Sequence, residues 1–226
     1  MTTVSELIER LKEKAVPENL AGMAKYGMTP TNRLGVSVPD IRQIAKETRR
    51  SHELALALWE TRIQEARMLA AMIDEPAKLT GDQMETWVMD FDSWDVCDQV
   101  CCNLFEKTPL AWEKIQEWSQ RNEEFVKRAA FALLACLAWH DKAAADEQFI
   151  ACLPVILGGS VDDRNYVKKA VNWALRNIGK RNSYLNQAAI ATALDMQQLD
   201  SKAARWNAAD ALRELQSEAV QQRFIE

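Results

Sequence analysis

"FVKRAAFALLACLA", Phe125 to Ala138, and "YVKKAVNWALRNIG", Tyr166 to Gly179, are two versions of one pattern set 41 positions apart. Each opens aromatic-Val-Lys-basic-Ala and continues with apolar residues at helical spacing. In the second, Val167, Ala170, Val171, Ala174, Leu175 and Ile178 fall on one face of a helix with 3.6 residues per turn. "EARMLAAMI" from Glu65 and "AARWNAADALREL" from Ala203 are degenerate relatives. Between them lies "FDSWDVCDQVCCNLF", Phe91 to Phe105, where Val96, Val100 and Leu104 recur at the same spacing. Comparable helices therefore start about every 30 to 40 residues, and no segment alternates with a period of two.

That period matches HEAT-like helical pairs, which stack into a solenoid with one concave face. The expected fold is all-α, a curved superhelix of HEAT-like repeats with about twelve to fourteen helices, forming a single domain over residues 1–226. A non-repetitive helical bundle is the alternative, because helices resemble one another by composition. Punctuation fits helices with short connections. Pro17, Pro39 and Pro109 are read as first-turn prolines, the last behind a cap at Thr108. Ser51, Thr80, Ser93 and Asn122 are read as further caps, and Gly27 and Gly179 as helix ends.

Hydrophobic residues make up 48% and charged residues 27% of 226, so the chain can bury a sizeable core. No apolar run reaches the length of a membrane span and no charged-then-apolar leader opens the sequence, so a cytoplasmic location is expected. In that compartment the five cysteines read as small buried hydrophobes. Paired zinc-type spacing is absent and there are only two histidines, His52 and His140, so no metal site is expected. The net charge of −5 argues against indiscriminate nucleic-acid binding. It is unevenly spread: residues 61–120 carry 5 basic and 12 acidic side chains, residues 121–213 carry 13 and 10.

Four residues do not fit a purely structural reading. Trp94 and Asp98 lie four apart, about 40° around the axis, on the rim of their helix's apolar stripe. Trp173 sits with Lys169, Arg176 and Lys180 within about 60° on the face opposite its helix's core stripe. Lys127 and Arg128 are the only charges between Phe125 and Trp139. They stand near a helix start, where anions are favoured; Glu123 and Glu124 offset them, or an oxyanion is bound there. Trp59, Trp87, Trp118 and Trp139 are read as core. If Trp94, Asp98, Arg128 and Trp173 share one concave groove, it suits a cationic group on a nucleic-acid backbone.

At these residues the sequence resembles the AlkD-like DNA alkylation repair proteins. The likeness includes "LGVSVPDIRQIAKE", Leu34 to Glu47, similar to that family's Leu-Gly-x-x-x-Pro-x-x-Arg segment, and continues in "SWDVCDQV", "FVKRAAFALL" and "KKAVNWALR". The resemblance implies a DNA glycosylase that excises N3- or N7-alkylated purines from double-stranded DNA. It implies catalytic roles for Asp98, Trp94 and Trp173, and a lesion-phosphate contact at Arg128. Lys127, Lys168, Lys169, Arg176 and Lys180 are expected to grip other phosphates. It implies no cofactor, no membrane association and no obligate protein partner, with the protein acting as a monomer. The alternatives are a silent relative that binds distorted or branched DNA, and a helical-repeat scaffold for proteins.

Overall fold

The computed structural model describes residues 2–224. Among them are fourteen α-helices, three short 3-10 turns and no strand. The chain forms two compact units, residues 1–110 and 111–226.

The first unit holds α1 (Val4–Glu13), α2 (Asn19–Lys25), α3 (Val38–Glu47), α4 (His52–Trp59), α5 (Gln64–Ile73), α6 (Gly81–Met89) and α7 (Trp94–Asn103). Local chemistry starts most of these helices. Ser37, Ser51 and Thr80 each accept the backbone N–H three residues on, and Pro39 lies in the first turn of α3. Pro17 instead sits in the turn before α2, and Pro109 between a 3-10 turn and the next helix. Helix α5 is the centre of the unit. Ala66, Met68, Leu69, Ala70, Ala71 and Ile73 are all buried, and it packs against α3, α4 and α7. Trp59 and Trp87 stack with ring centroids 3.9 Å apart, so both are core, as their spacing predicts.

The Leu-Gly segment has a structural cause. Glu65, fully buried on α5, accepts the backbone N–H groups of Leu34, Gly35 and Val36 at 2.8–3.3 Å. The loop wraps the carboxylate, which Gly35 permits by adopting a φ of +82°. A Cβ at Gly35 would stand 2.3 Å from the carbonyl oxygen of Val16. Gly35→Ala is therefore expected to cost about 2 kcal/mol or more, from left-handed strain and an immovable backbone neighbour. Urea unfolding of the variant measures this, and an unchanged midpoint would show that the loop relaxes freely.

The second unit holds α8 (Ala111–Ser119), α9 (Glu124–His140), α10 (Asp146–Gly159), α11 (Asn165–Ile178), α12 (Ser183–Gln198), α13 (Lys202–Leu215) and the single turn α14 (Glu218–Gln221). Helices α9, α11 and α13 form one layer, with α11 packed against both neighbours; α8 lies against α9, and α10 and α12 lie against each other. The repeat seen in the sequence is physical. Phe125 and Tyr166, the opening aromatics of the two segments, stack with centroids 5.4 Å apart. Polar rungs tie successive repeats: Asn177 Nδ2 donates to the Ala135 carbonyl at 3.1 Å, and Asn172 Nδ2 to that of Asn207 at 3.3 Å. Gly179 ends α11 with an ordinary φ of −69°. Its use is close approach, because a Cβ there would meet Leu215 at 2.7 Å.

Two sequence expectations change here. Helix α9 starts after Glu123, not Asn122, whose carbonyl instead accepts from Arg164 Nη1 at 2.6 Å. Trp118 is buried, but Trp139 is 54% exposed, since it lies in the last turn of α9 where the helix has left the core. Cys97, Cys101 and Cys152 are buried free thiols, and burial pushes the Cys152 thiol up to about 11. Among the described residues no helix is long and apolar enough to cross a membrane.

Candidate functional site

In the first unit the site is built on the start of α7. Val96, Val100 and Leu104 point into the core, each at most 1% exposed, while Trp94 and Asp98 are half-buried at its edge. Ser93 occupies the cap position without capping the helix. Its hydroxyl is saturated elsewhere. It accepts from the Thr29 N–H at 3.1 Å and from Arg33 Nη2 at 3.2 Å, and donates to Asp95 Oδ1.

Arg33 is the anchor that sequence reading missed. It bonds Asp95 with both terminal nitrogens, at 2.7 and 3.0 Å, and Nε donates to the Thr29 carbonyl at 2.7 Å. Both members of the pair are under 9% exposed. Such a pair is geometrically demanding, and it locks the first turn of α7 to the loop carrying Thr29 and Arg33. Trp94 is held from the same side: its Nε1–H donates to the Tyr26 carbonyl at 3.0 Å. Tyr26 itself is 78% exposed, which places a second aromatic ring in solvent beside this anchor. Trp94 is thus fixed by its edge, and Asp98 follows one turn along the same helix.

In the second unit the expected cations lie on α9 and α11 and differ in their availability. Lys169 is exposed and Trp173 is half-buried, one turn apart on α11. Arg176 and Lys180 continue that face, but both bond Glu214 of α13, Lys180 at 2.7 Å. Burial would raise the Glu214 carboxyl; bonds from Lys180 and Arg176 outweigh it and hold the group below its usual range. Lys168 turns towards α13, its ammonium 4.8 Å from the ring centre of the 42%-exposed Trp206. Lys127 pairs with Asp162 at 3.3 Å, a carboxylate shared with Arg164. Arg128 is 5% exposed, and its Nη1 donates to the Tyr166 carbonyl at 2.6 Å, joining α9 to the first turn of α11. Carboxylates and carbonyls distant in sequence therefore occupy much of the basic character of this half. Among the described residues no three His, Cys, Asp or Glu side chains gather as a metal site.

The run of helices without strands among the described residues, with polar rungs between successive repeats in the second unit, defines the class: an all-α, HEAT-like repeat protein. The model of the DNA alkylation repair enzyme family matches residues 7–215, and the chain belongs to that family. A solved structure described as belonging to a new family related to the HEAT-like repeat DNA glycosylases, with affinity for branched DNA structures, superposes with a TM-score of 0.78. It is 16% identical, over 95% of this chain and 96% of that one. A designed armadillo repeat protein in complex with a (KR)4 peptide is a looser likeness, with a TM-score of 0.41 at 14% identity over 82% and 78% of the two chains. No curated protein sequence matches the chain.

Proposed function

We propose that this protein is a DNA glycosylase that hydrolyses the N-glycosidic bond of N3- or N7-alkylated purines in duplex DNA. The observation that supports it most is the pairing of Trp94 and Asp98, half-buried one turn apart on a helix start pinned by Arg33 and Tyr26, in a member of the alkylation repair family.

Alkylation at N3 or N7 makes the purine cationic, so the base leaves with the electron pair of the C1′–N bond and becomes neutral. No general acid is required to protonate it. What the protein supplies is stabilisation of the positive charge left on the sugar and placement of the attacking water. Asp98 fills both roles: its carboxylate faces the developing charge and accepts the proton that water releases on bonding to C1′. Trp94 and Trp173 hold the sugar and the cationic base by CH–π and cation–π contact. Lys127, Lys168, Lys169, Arg176 and Lys180 contact phosphates, with Lys169 first because it is exposed. Arg176, Lys180 and Lys127 exchange Glu214 and Asp162 for phosphate oxygens. Arg128 acts beside the lesion phosphate from its anchor on Tyr166. The chemistry draws on no cofactor, and the partner is double-stranded DNA carrying alkylated bases.

A second reading, binding of distorted or branched DNA without chemistry, is favoured by the burial of Arg128, the residue assigned to the lesion phosphate. One assay separates them. Duplex DNA holding a single 7-methylguanine is incubated with the protein and then cleaved with alkali at abasic sites. Strand cleavage is the expected result. Tight binding of a four-way junction with no cleavage above background gives the second reading the field.

A further inference from the structure

One basic cluster lies in the half of the molecule where net charge gave no reason to look. A cavity of about 370 Å³ in the first unit is lined by Arg42, Lys46, Arg50 and Lys107, with Ala45 and Met72 among the remaining lining residues. All four cations are exposed and no carboxylate lines the cavity. Arg42 and Lys46 stand one turn apart on α3, and neither has an ion pair among the described residues. Like charges at this spacing oppose helix formation, although Lys46 gains from its place in the last turn of α3. Arg50 donates to the Asp74 carbonyl and Lys107 to that of Asn103, both neutral acceptors. Partial burial pushes the Lys107 ammonium below its usual value, against the opposing charge of Glu106, with Arg50 a smaller contributor.

We propose that this cavity binds backbone phosphates of the DNA strand, as a second phosphodiester contact separate from the cations of α9 and α11. The ligand class follows from the donors. Four exposed arginine and lysine side chains around an open mouth, with only Ala45 and Met72 as apolar lining, suit an anion on an extended chain. A free nucleotide or small metabolite calls for an enclosed, mostly apolar pocket. The inference rests on the DNA reading above and specifies where the first unit meets the backbone.

The test compares Arg42→Ala/Lys46→Ala with Arg49→Ala, an exposed arginine outside the cavity, by duplex binding over a salt series. Undamaged duplex is the probe, so no chemistry enters. The double variant should lose about tenfold in affinity, and its log K against log[salt] slope should fall by about 1.8, two phosphate contacts' worth. Arg49→Ala should follow wild type. Equal slopes for wild type and the double variant, with wild type binding duplex, overturn this inference and leave the glycosylase reading standing. Wild type that binds no duplex overturns both. A free-anion site is distinguished by inorganic phosphate at constant ionic strength: if phosphate protects the wild-type cavity arginines from arginine-directed modification but duplex does not, the phosphodiester assignment fails.

Discussion

Asp98→Asn is expected to lower excision of 7-methylguanine by about 10²-fold or more while leaving the melting curve in place. The substitution keeps the shape of a half-buried side chain and removes only its charge. If Asp98 stabilises the sugar cation and takes up the proton from water, an amide does neither, and the loss falls on the transition state. Binding to undamaged duplex should stay level or rise slightly, because a negative group near phosphates is gone. This separates Asp98 from the basic residues, whose loss weakens binding and flattens its salt dependence. Single-turnover excision rates beside circular dichroism melts make the comparison. An Asp98→Asn protein that melts and excises like wild type leaves no catalytic role for the carboxylate.

Arg33→Leu is expected to destabilise the fold by about 3–5 kcal/mol, the scale of breaking one side of a buried ion pair. The cause is what remains. Asp95 would keep a charge in a site 7% exposed with its bidentate partner gone, and the Ser93 hydroxyl and Thr29 carbonyl would each lose a donor. Arg33→Leu with Asp95→Leu removes both charges, and should recover a large part of the loss. Guanidinium unfolding of the two singles and the double closes the cycle. Near-additive losses would mean that the pair is not coupled. Because the pair holds the first turn of α7, surviving folded Arg33→Leu protein should also show altered near-ultraviolet dichroism from Trp94.

What the sequence determined by itself was the set of interactions that act over a few residues. Apolar spacing places the stripes of α7, α9 and α11; Ser51, Thr80 and Pro39 start helices by contacts three residues long. The kinship of Phe125 and Tyr166 was visible as a pattern and became a ring stack. Trp94 and Asp98 were legible as a rim pair for the same reason, since one turn of helix sets their relation. Failures came where a group's fate depends on a partner far along the chain. Ser93 reads as a cap until Arg33, 60 residues away, claims its hydroxyl. The burial of Glu65 depends on a loop 30 residues earlier that closes its amides around the carboxylate. Arg176 and Lys180 read as free cations until Glu214 arrives from the next repeat. Trp139 follows an unbroken apolar run, yet is exposed because the run outlasts the layer it packs against. Charge is the clearest case. Summed over residues 61–120 it is strongly negative, yet Lys107 from that stretch joins Arg42, Lys46 and Arg50 in a cavity without a carboxylate. Helix periodicity is carried by the backbone and repeats in every turn. The pairing of charges is decided only when separate turns are brought within a few ångströms, and there Coulomb energy and desolvation together select which groups stay exposed.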